Sequence, residues 1–114
     1  MTTHASSAAL AMDLLEDAAE GASSGLAGRV LGLVGLGALG CEIARRAAAR
    51  GMEVLYCDLE PGAGPQRRVL LGELLERSDF VMPIADGASL SALRPRLKPG
   101  AALIDYLGYI ASAL

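Results

Sequence analysis

Seven residues in one stretch of this chain have the types and spacing to hold a phosphate group and a sugar. Gly35-Leu36-Gly37-Ala38-Leu39-Gly40 puts glycine at the first, third and sixth positions of a turn, and Asp58 follows eighteen residues after Gly40. Each glycine has its own physical use there. Gly35 permits a sharp exit from a strand. Gly37 lets a backbone N–H approach a pyrophosphate with no Cβ in the way, and Gly40 lets the next helix lie close on the sheet. A helix opening at this turn aims its first amides and the positive end of its dipole at bound phosphate. The Asp58 carboxylate, at the tip of a neighbouring strand, accepts hydrogen bonds from ribose hydroxyls.

That chemistry needs a strand before the turn, a helix after it and a second strand ending at the acid. The sequence supplies all three. Arg29–Gly35 is an apolar run closed by glycine, which predicts a central strand. From about Ala38 to Arg50, Ile43, Ala44, Ala47 and Ala48 form an apolar stripe, with Arg45, Arg46 and Arg50 on the wet side. Gly51 stops that helix, and Glu53–Asp58 reads as the second strand. A lone GxGxxG is weak evidence in a glycine-rich chain. Followed by an amphipathic helix, a second strand and an acid at the right interval, it predicts a dinucleotide-binding βαβ unit. The Asp58 charge would repel a 2′-phosphate, which favours NAD over NADP. Arg67 and Arg68 could in principle serve a 2′-phosphate, but they follow Asp58 by nine residues or more and are expected as a solvated strand entrance.

Composition narrows what else the chain can be. Its 114 residues suit one small domain with a single core. Apolar residues make up 53% but aromatics only 4%, so the core must be aliphatic, as in a parallel sheet covered by helices. A net charge of −3 provides no overall attraction to nucleic acid or an anionic membrane surface. The longest uncharged run by the turn, Val30–Cys41, is too short for a membrane span, and acids at Asp13, Glu16 and Asp17 argue against a secretory leader. Cytoplasmic is the expected location. Cys41 and Cys57 fit neither a disulfide framework nor a zinc spacing, and are expected as small buried hydrophobes.

The remaining segments are read in order. Residues 1–20 hold an N-terminal helix, from about Ser7 to Glu20, with Ala8, Ala9, Ala11, Met12, Leu15 and Ala19 at helical spacing and Gly21 as its stop. His4 is expected as a solvated tail residue. Residues 29–106 form the core and 107–114 an apolar tail. Leu59–Gln66 is a Pro/Gly loop where a helix would ordinarily join the second and third strands, so that helix is expected to be trimmed to a turn, with Arg68–Leu71 beyond it. Gly72–Ser78 is a short helix, Phe80–Ala85 a strand in which Pro83 marks either the end or an exposed side, and Ala101–Tyr106 another buried strand. Between them a short helix capped by Ser89 or Ser91 runs to about Leu97. The tip of the fourth strand, Pro83, Ile84 and Ala85, is expected beside the glycine turn, in the crevice where open α/β sheets bind ligands. The fold expected is a Rossmann-like, doubly wound α/β sandwich, a parallel sheet of about five strands in order 3-2-1-4-5.

Four separated blocks, LAGRVLGLVGLGALG, GMEVLYCD, GELLERSDFV and RLKPGAALID, occur in an order that resembles the NAD-binding domain of the D-2-hydroxyacid dehydrogenases. Carried over by position, the resemblance puts the backbone amides of Ala38 and Leu39 on the pyrophosphate, Asp58 on the adenosine ribose, and Pro83–Ala85 along the crevice wall. It also shows departures. After the last strand the family carries an Asn and then a catalytic Arg; this chain reads Asp105-Tyr106-Leu107-Gly108, and neither Tyr nor Leu replaces a guanidinium fork. The family's Glu–His pair and its substrate domain are also not found.

Three readings follow. The first is a minimal NAD(H)-binding module without catalysis of its own. The second is a component of an NAD-dependent 2-hydroxyacid oxidoreductase completed by a partner chain, with Asp105 and Tyr106 the polar groups nearest the nicotinamide end. The third is a degenerate homologue used for association. An apolar sheet edge beside Ala101–Tyr106 is expected to bring a homodimer or a hetero-partner in each case.

Overall fold

The structure is a computed structural model that describes residues 4–19, 25–58, 62, 64–84 and 90–113. Five parallel strands form one sheet in the order β3-β2-β1-β4-β5. They are β1 (Val30–Val34), β2 (Glu53–Cys57), β3 (Arg67–Arg68), β4 (Phe80–Pro83) and β5 (Ala102–Leu103). The helices are α1 (His4–Ala18), α2 (Gly37–Ala49), α3 (Leu71–Arg77), α4 (Leu90–Leu93) and α5 (Tyr106–Ala113), with a 3₁₀ turn at Arg94–Arg96. The expected class and strand order are therefore observed.

Side chains alternate across the strands and build two cores. Leu31, Leu33, Val54, Tyr56, Phe80 and Met82 face α1, α2 and α5, and pack with Leu15, Ile43 and Ala47. On the other face Leu55 and Val81 meet Leu74, Leu75 and Leu93 from α3 and α4. Gly32 in the middle of β1 makes room for α3: a Cβ there would lie 2.6 Å from Leu74 Cδ2. The core is split by the sheet, and it is not purely aliphatic as composition suggests: Phe80, Tyr56 and Tyr106 are buried on the α1/α2 side.

Helix α2 shows how the local sequence sets boundaries. Ile43, Ala44 and Ala47 are buried, while Glu42 pairs with Arg45 and Arg46 at the surface. At its end Gly51 takes φ +84°, Met52 N–H bonds the Ala47 carbonyl at 3.1 Å and Gly51 N–H bonds the Ala48 carbonyl at 3.0 Å. This is a Schellman closure, which needs the left-handed residue that glycine supplies.

Several expectations are revised. β3 pairs at only two residues, Arg67 and Arg68, and Leu71 already belongs to α3. β4 ends at Pro83, whose nitrogen faces β5 past the last paired residue there, so its missing N–H leaves no ladder bond unmade. The apolar tail is a two-turn helix, α5, that starts at Tyr106. Cys41 and Cys57 are half-buried thiols, because the first lies on the flank of α2 and the second at the open end of β2. Gly21, Leu59, Glu60, Pro61, Ala63, Ala85 and Ser89 lie outside the described residues. Among the described residues no helix is long and apolar enough to cross a membrane, and no cluster of His, Cys, Asp and Glu could hold a metal.

Candidate dinucleotide site at the strand ends

Strand register assembles the site. Val34 lies opposite Cys57 on one side and Pro83 on the other, so β1, β2 and β4 end level with one another. The residues that follow them, Gly35, Asp58 and Ile84, share one edge of the sheet. Ile84 N–H bonds the Val34 carbonyl at 3.0 Å, which holds the β4 tip against β1.

The glycine turn has the backbone its sequence calls for. Gly35 takes φ +101°, with its N–H on the Cys57 carbonyl at 2.8 Å. Gly37 takes φ +61° and opens α2. Both values lie where a Cβ is costly, so glycine is required for conformation as well as for space. The first bond within α2 runs from Gly40 N–H to the Leu36 carbonyl at 2.8 Å. The N–H groups of Gly37, Ala38 and Leu39 precede it and point out of the helix end. Gly37 and Ala38 are exposed, and a Cβ on Gly37 would meet no heavy atom within 4 Å. Gly40 is buried, and a Cβ there would come 2.9 Å from Ile84 Cδ1 and 3.1 Å from Leu36 Cδ1. Its absent side chain lets α2 close on the ends of both β1 and β4.

Asp58 is bound to this turn directly. Its Oδ2 accepts the Leu36 N–H at 2.8 Å, a contact across 22 residues of sequence. The carboxylate is thereby turned toward β1 and faces the turn. From the other side, Arg68 Nε donates to the Asp58 carbonyl at 3.1 Å. Gly62 packs on the Leu36 side chain, and its N–H donates to the buried Tyr56 hydroxyl at 2.9 Å.

Sequence reasoning brought Gly35, Gly37, Ala38, Leu39, Gly40, Asp58, Pro83 and Ile84 to one edge, and the structure places all eight there; Ala85 lies outside the described residues. It missed the Asp58–Leu36 contact and the approach of Arg68. It also missed a clamp at the opposite end of the strands. There Asp79 accepts Val30 N–H at 2.8 Å and pairs with Lys98 Nζ at 2.9 Å. Burial by itself pushes the Asp79 carboxyl up. The Lys98 and Val30 hydrogen bonds and the positive charges of Lys98 and Arg29 outweigh it, and the net position is below the usual carboxylate range. The only sequence signal was an acid at a strand entrance.

The polar groups after β5 serve the fold. Asp105 Oδ1 accepts Gly108 N–H at 2.9 Å and caps α5. Tyr106 is buried, and its hydroxyl donates to the Ser7 carbonyl of α1 at 3.3 Å. That hydroxyl is turned into the α1 layer, not toward the glycine turn.

Comparison with known proteins agrees with this geometry. Residues 4–87 match the model of the D-isomer specific 2-hydroxyacid dehydrogenase NAD-binding domain. The chain belongs to that family. Over 60 residues it is 47% identical to a glyoxylate reductase of Korarchaeum cryptofilum, covering 47% of this chain and 18% of that protein. A glycerate dehydrogenase of Methylorubrum extorquens is 46% identical over 56 residues, which is 49% of this chain and 17% of that enzyme. Among solved structures, the apo form of Rhodotorula graminis D-mandelate dehydrogenase superposes with a TM-score of 0.75 at 27% identity, covering 96% of this chain and 46% of that one. D-lactate dehydrogenase of Escherichia coli, at 18% identity and a TM-score of 0.75 over 99% of this chain and 48% of that one, shares the fold. The matched regions are thus less than a fifth of the two curated relatives and under half of these solved chains.

The cofactor of this domain family is NAD, and the residues present fit it. The uncapped amides of α2, the open space over Gly37 and the acid facing the turn match a pyrophosphate and a ribose in turn.

Proposed function

We propose that the chain is an NAD(H)-binding module of the D-2-hydroxyacid dehydrogenase type with no catalysis of its own. The observation that carries this is the Asp58 carboxylate held on the Leu36 amide, which ties the ribose-binding acid to the phosphate-binding turn. In this reading the Ala38 and Leu39 amides hold the pyrophosphate, and Gly35, Gly37 and Gly40 give it access. Asp58 orients the adenosine ribose, and Pro83, Ile84 and Ala85 line the crevice. When bound, NAD supplies hydride transfer, and this chain's residues bind and orient it. After β5, where the family carries its carboxylate-binding Arg, this chain has Asp105 and Tyr106, and both are bound into the fold.

Titration calorimetry with NAD⁺ and NADH, repeated on Asp58→Ala and Gly37→Val, tests the proposal. Binding by the wild-type chain that is lost in Gly37→Val supports it. Absence of binding by the wild-type chain would leave the association reading. Turnover of 2-hydroxy or 2-keto acids by the purified chain would overturn the non-catalytic part.

A second reading, a cofactor subunit of an oxidoreductase completed by a partner chain, is favoured by the reductase and dehydrogenase names of the relatives. It predicts a homodimer or hetero-partner and a cytoplasmic location. The exposed large apolar side chains among the described residues are Leu70 and Tyr109, while Ala102 and Leu103 of β5 are half-buried. Such a partner would meet Leu70 before α3 or Tyr109 on α5 as well as the β5 edge. A concentration-independent monomer by light scattering would count against it.

A further inference from the structure

Strand β3 carries an arginine to the ribose end of the site, and the sheet geometry decides which one. In the β2–β3 register Leu55 lies opposite Arg67 and Tyr56 opposite Arg68. The period of two sends Arg67 to the Leu55 face, where it pairs with Glu73 of α3 at 3.3 Å. Arg68 goes to the Tyr56 face, the side of α2 and the glycine turn. It is exposed, and its Nε reaches forward to the Asp58 carbonyl at 3.1 Å. Strand order completes the picture. Asp58 follows β2, its carboxylate is drawn inward to Leu36 after β1, and its main chain is met from outside by Arg68 on β3.

We infer that Arg68 is a specificity-determining residue that lets the cradle take a 2′-phosphorylated dinucleotide, NADP(H), as well as NAD(H). This deepens the dinucleotide reading and rests on it. An acid at the tip of β2 repels a 2′-phosphate when it is the only charge there. Here one carboxylate oxygen, Oδ2, accepts a backbone N–H on the inner side, and a guanidinium donates to the main chain of the same residue from the outer side. A ribose whose hydroxyls meet Asp58 therefore has an anion toward β1 and a cation toward β3. The planar fork beyond Nε suits a phosphate monoester, which it engages through two parallel N–H···O bonds. The Leu59–Gln66 connection makes this possible, because so short a link brings β3 alongside β2 ten residues after Asp58.

The test is a calorimetric comparison of NAD⁺ and NADP⁺ on the wild-type chain, Arg68→Gln, Arg68→Lys and Asp58→Asn, with 2′,5′-ADP and 5′-AMP as fragments. The wild-type chain is expected to bind NADP⁺ within about tenfold of NAD⁺, and Arg68→Gln to lower the NADP⁺:NAD⁺ affinity ratio by about tenfold or more, the scale of one lost charge-assisted contact. Arg68→Lys should keep part of the ratio, Asp58→Asn should raise it, and added salt should weaken 2′,5′-ADP more than 5′-AMP. A wild-type chain that binds NAD⁺ but takes NADP⁺ more than about a hundredfold more weakly would sink this inference and leave the dinucleotide reading standing. So would an Arg68→Gln variant whose two affinities fall together, since Arg68 would then act only by holding the Asp58 main chain. Absence of binding by either dinucleotide would overturn both.

Discussion

Replacing Gly37 by alanine separates the two demands that the turn makes on that position. The first is conformational. Gly37 sits at φ +61°, where an L-residue with a Cβ costs about 1–2 kcal/mol. No steric cost adds to this, because the new methyl meets no heavy atom within 4 Å. For a domain of this size that corresponds to a fall in Tm of about 4–8 °C, at about 4 °C per kcal/mol. The second demand is for access. The methyl occupies the open space over the α2 amides and holds a pyrophosphate away from them. Charge-assisted hydrogen bonds to such amides contribute about 1.5–3 kcal/mol each, so losing one weakens NAD⁺ by about 10- to 100-fold. Thermal unfolding followed by circular dichroism and calorimetric titration measure the two effects separately. Gly37→Asn is the control for conformation, since Asn adopts the left-handed region more readily; it should recover stability without recovering affinity. Gly40→Ala is the control for position. Its methyl presses on the flexible ends of Ile84 and Leu36 while gaining about 1 kcal/mol of helix propensity, so stability should stay near wild type and NAD⁺ affinity should fall less than in Gly37→Ala. A folded Gly37→Ala chain with unchanged NAD⁺ affinity would refute the placement of the phosphate over this turn.

Three further perturbations probe the scaffold. Leu70, the N-cap of α3, is 81% exposed with φ −72° and ψ 155° and makes no side-chain cap bond; Leu70→Ser should stabilise the chain by about 1 kcal/mol, read as a higher Tm. Gly32→Ala forces a methyl onto Ser78 Oγ and to within 2.6 Å of Leu74 Cδ2, both fully buried on the α3 side of the sheet, and should destabilise by about 1–3 kcal/mol in urea unfolding. Asp79 has a folded-state pKa below its ordinary value, so its contribution is fully present above the unfolded value near 3.8 and is lost as pH falls through the folded value. Urea midpoints should therefore drop on acidification below about pH 4, and Asp79→Asn should flatten that drop while lowering stability at neutral pH. An unchanged pH profile in Asp79→Asn would remove the clamp from the account.

The cradle was legible in the sequence because its information is local. A glycine at φ +61°, an apolar run before it, a helical stripe of Ile43, Ala44 and Ala47 after it, and Gly51 as a left-handed stop each act through neighbours within a turn or two. The strand order was legible only through the dinucleotide-binding pattern as a whole, since periodicity says which residues form strands but not which strands pair. Lengths at the sheet edges were overestimated: β3 and β5 pair over two residues each, because an edge strand persists only as far as its single neighbour supports it.

What the sequence determined by itself is therefore a strand, a glycine turn, a helix with uncapped amides, and an acid at a fixed interval. What tertiary structure decided is where charges meet. Asp58 reaches Leu36 across 22 residues and Arg68 reaches the Asp58 carbonyl across ten. Asp79 joins Val30 across 49, and Tyr106 is bound to Ser7 across 99. Each contact depends on strand order and on register. A one-residue slip in β3 would send Arg68 to the α3 face and Arg67 to the ribose side. Parallel pairing, which joins segments distant in sequence and assigns each residue to a face, set the electrostatics of the site.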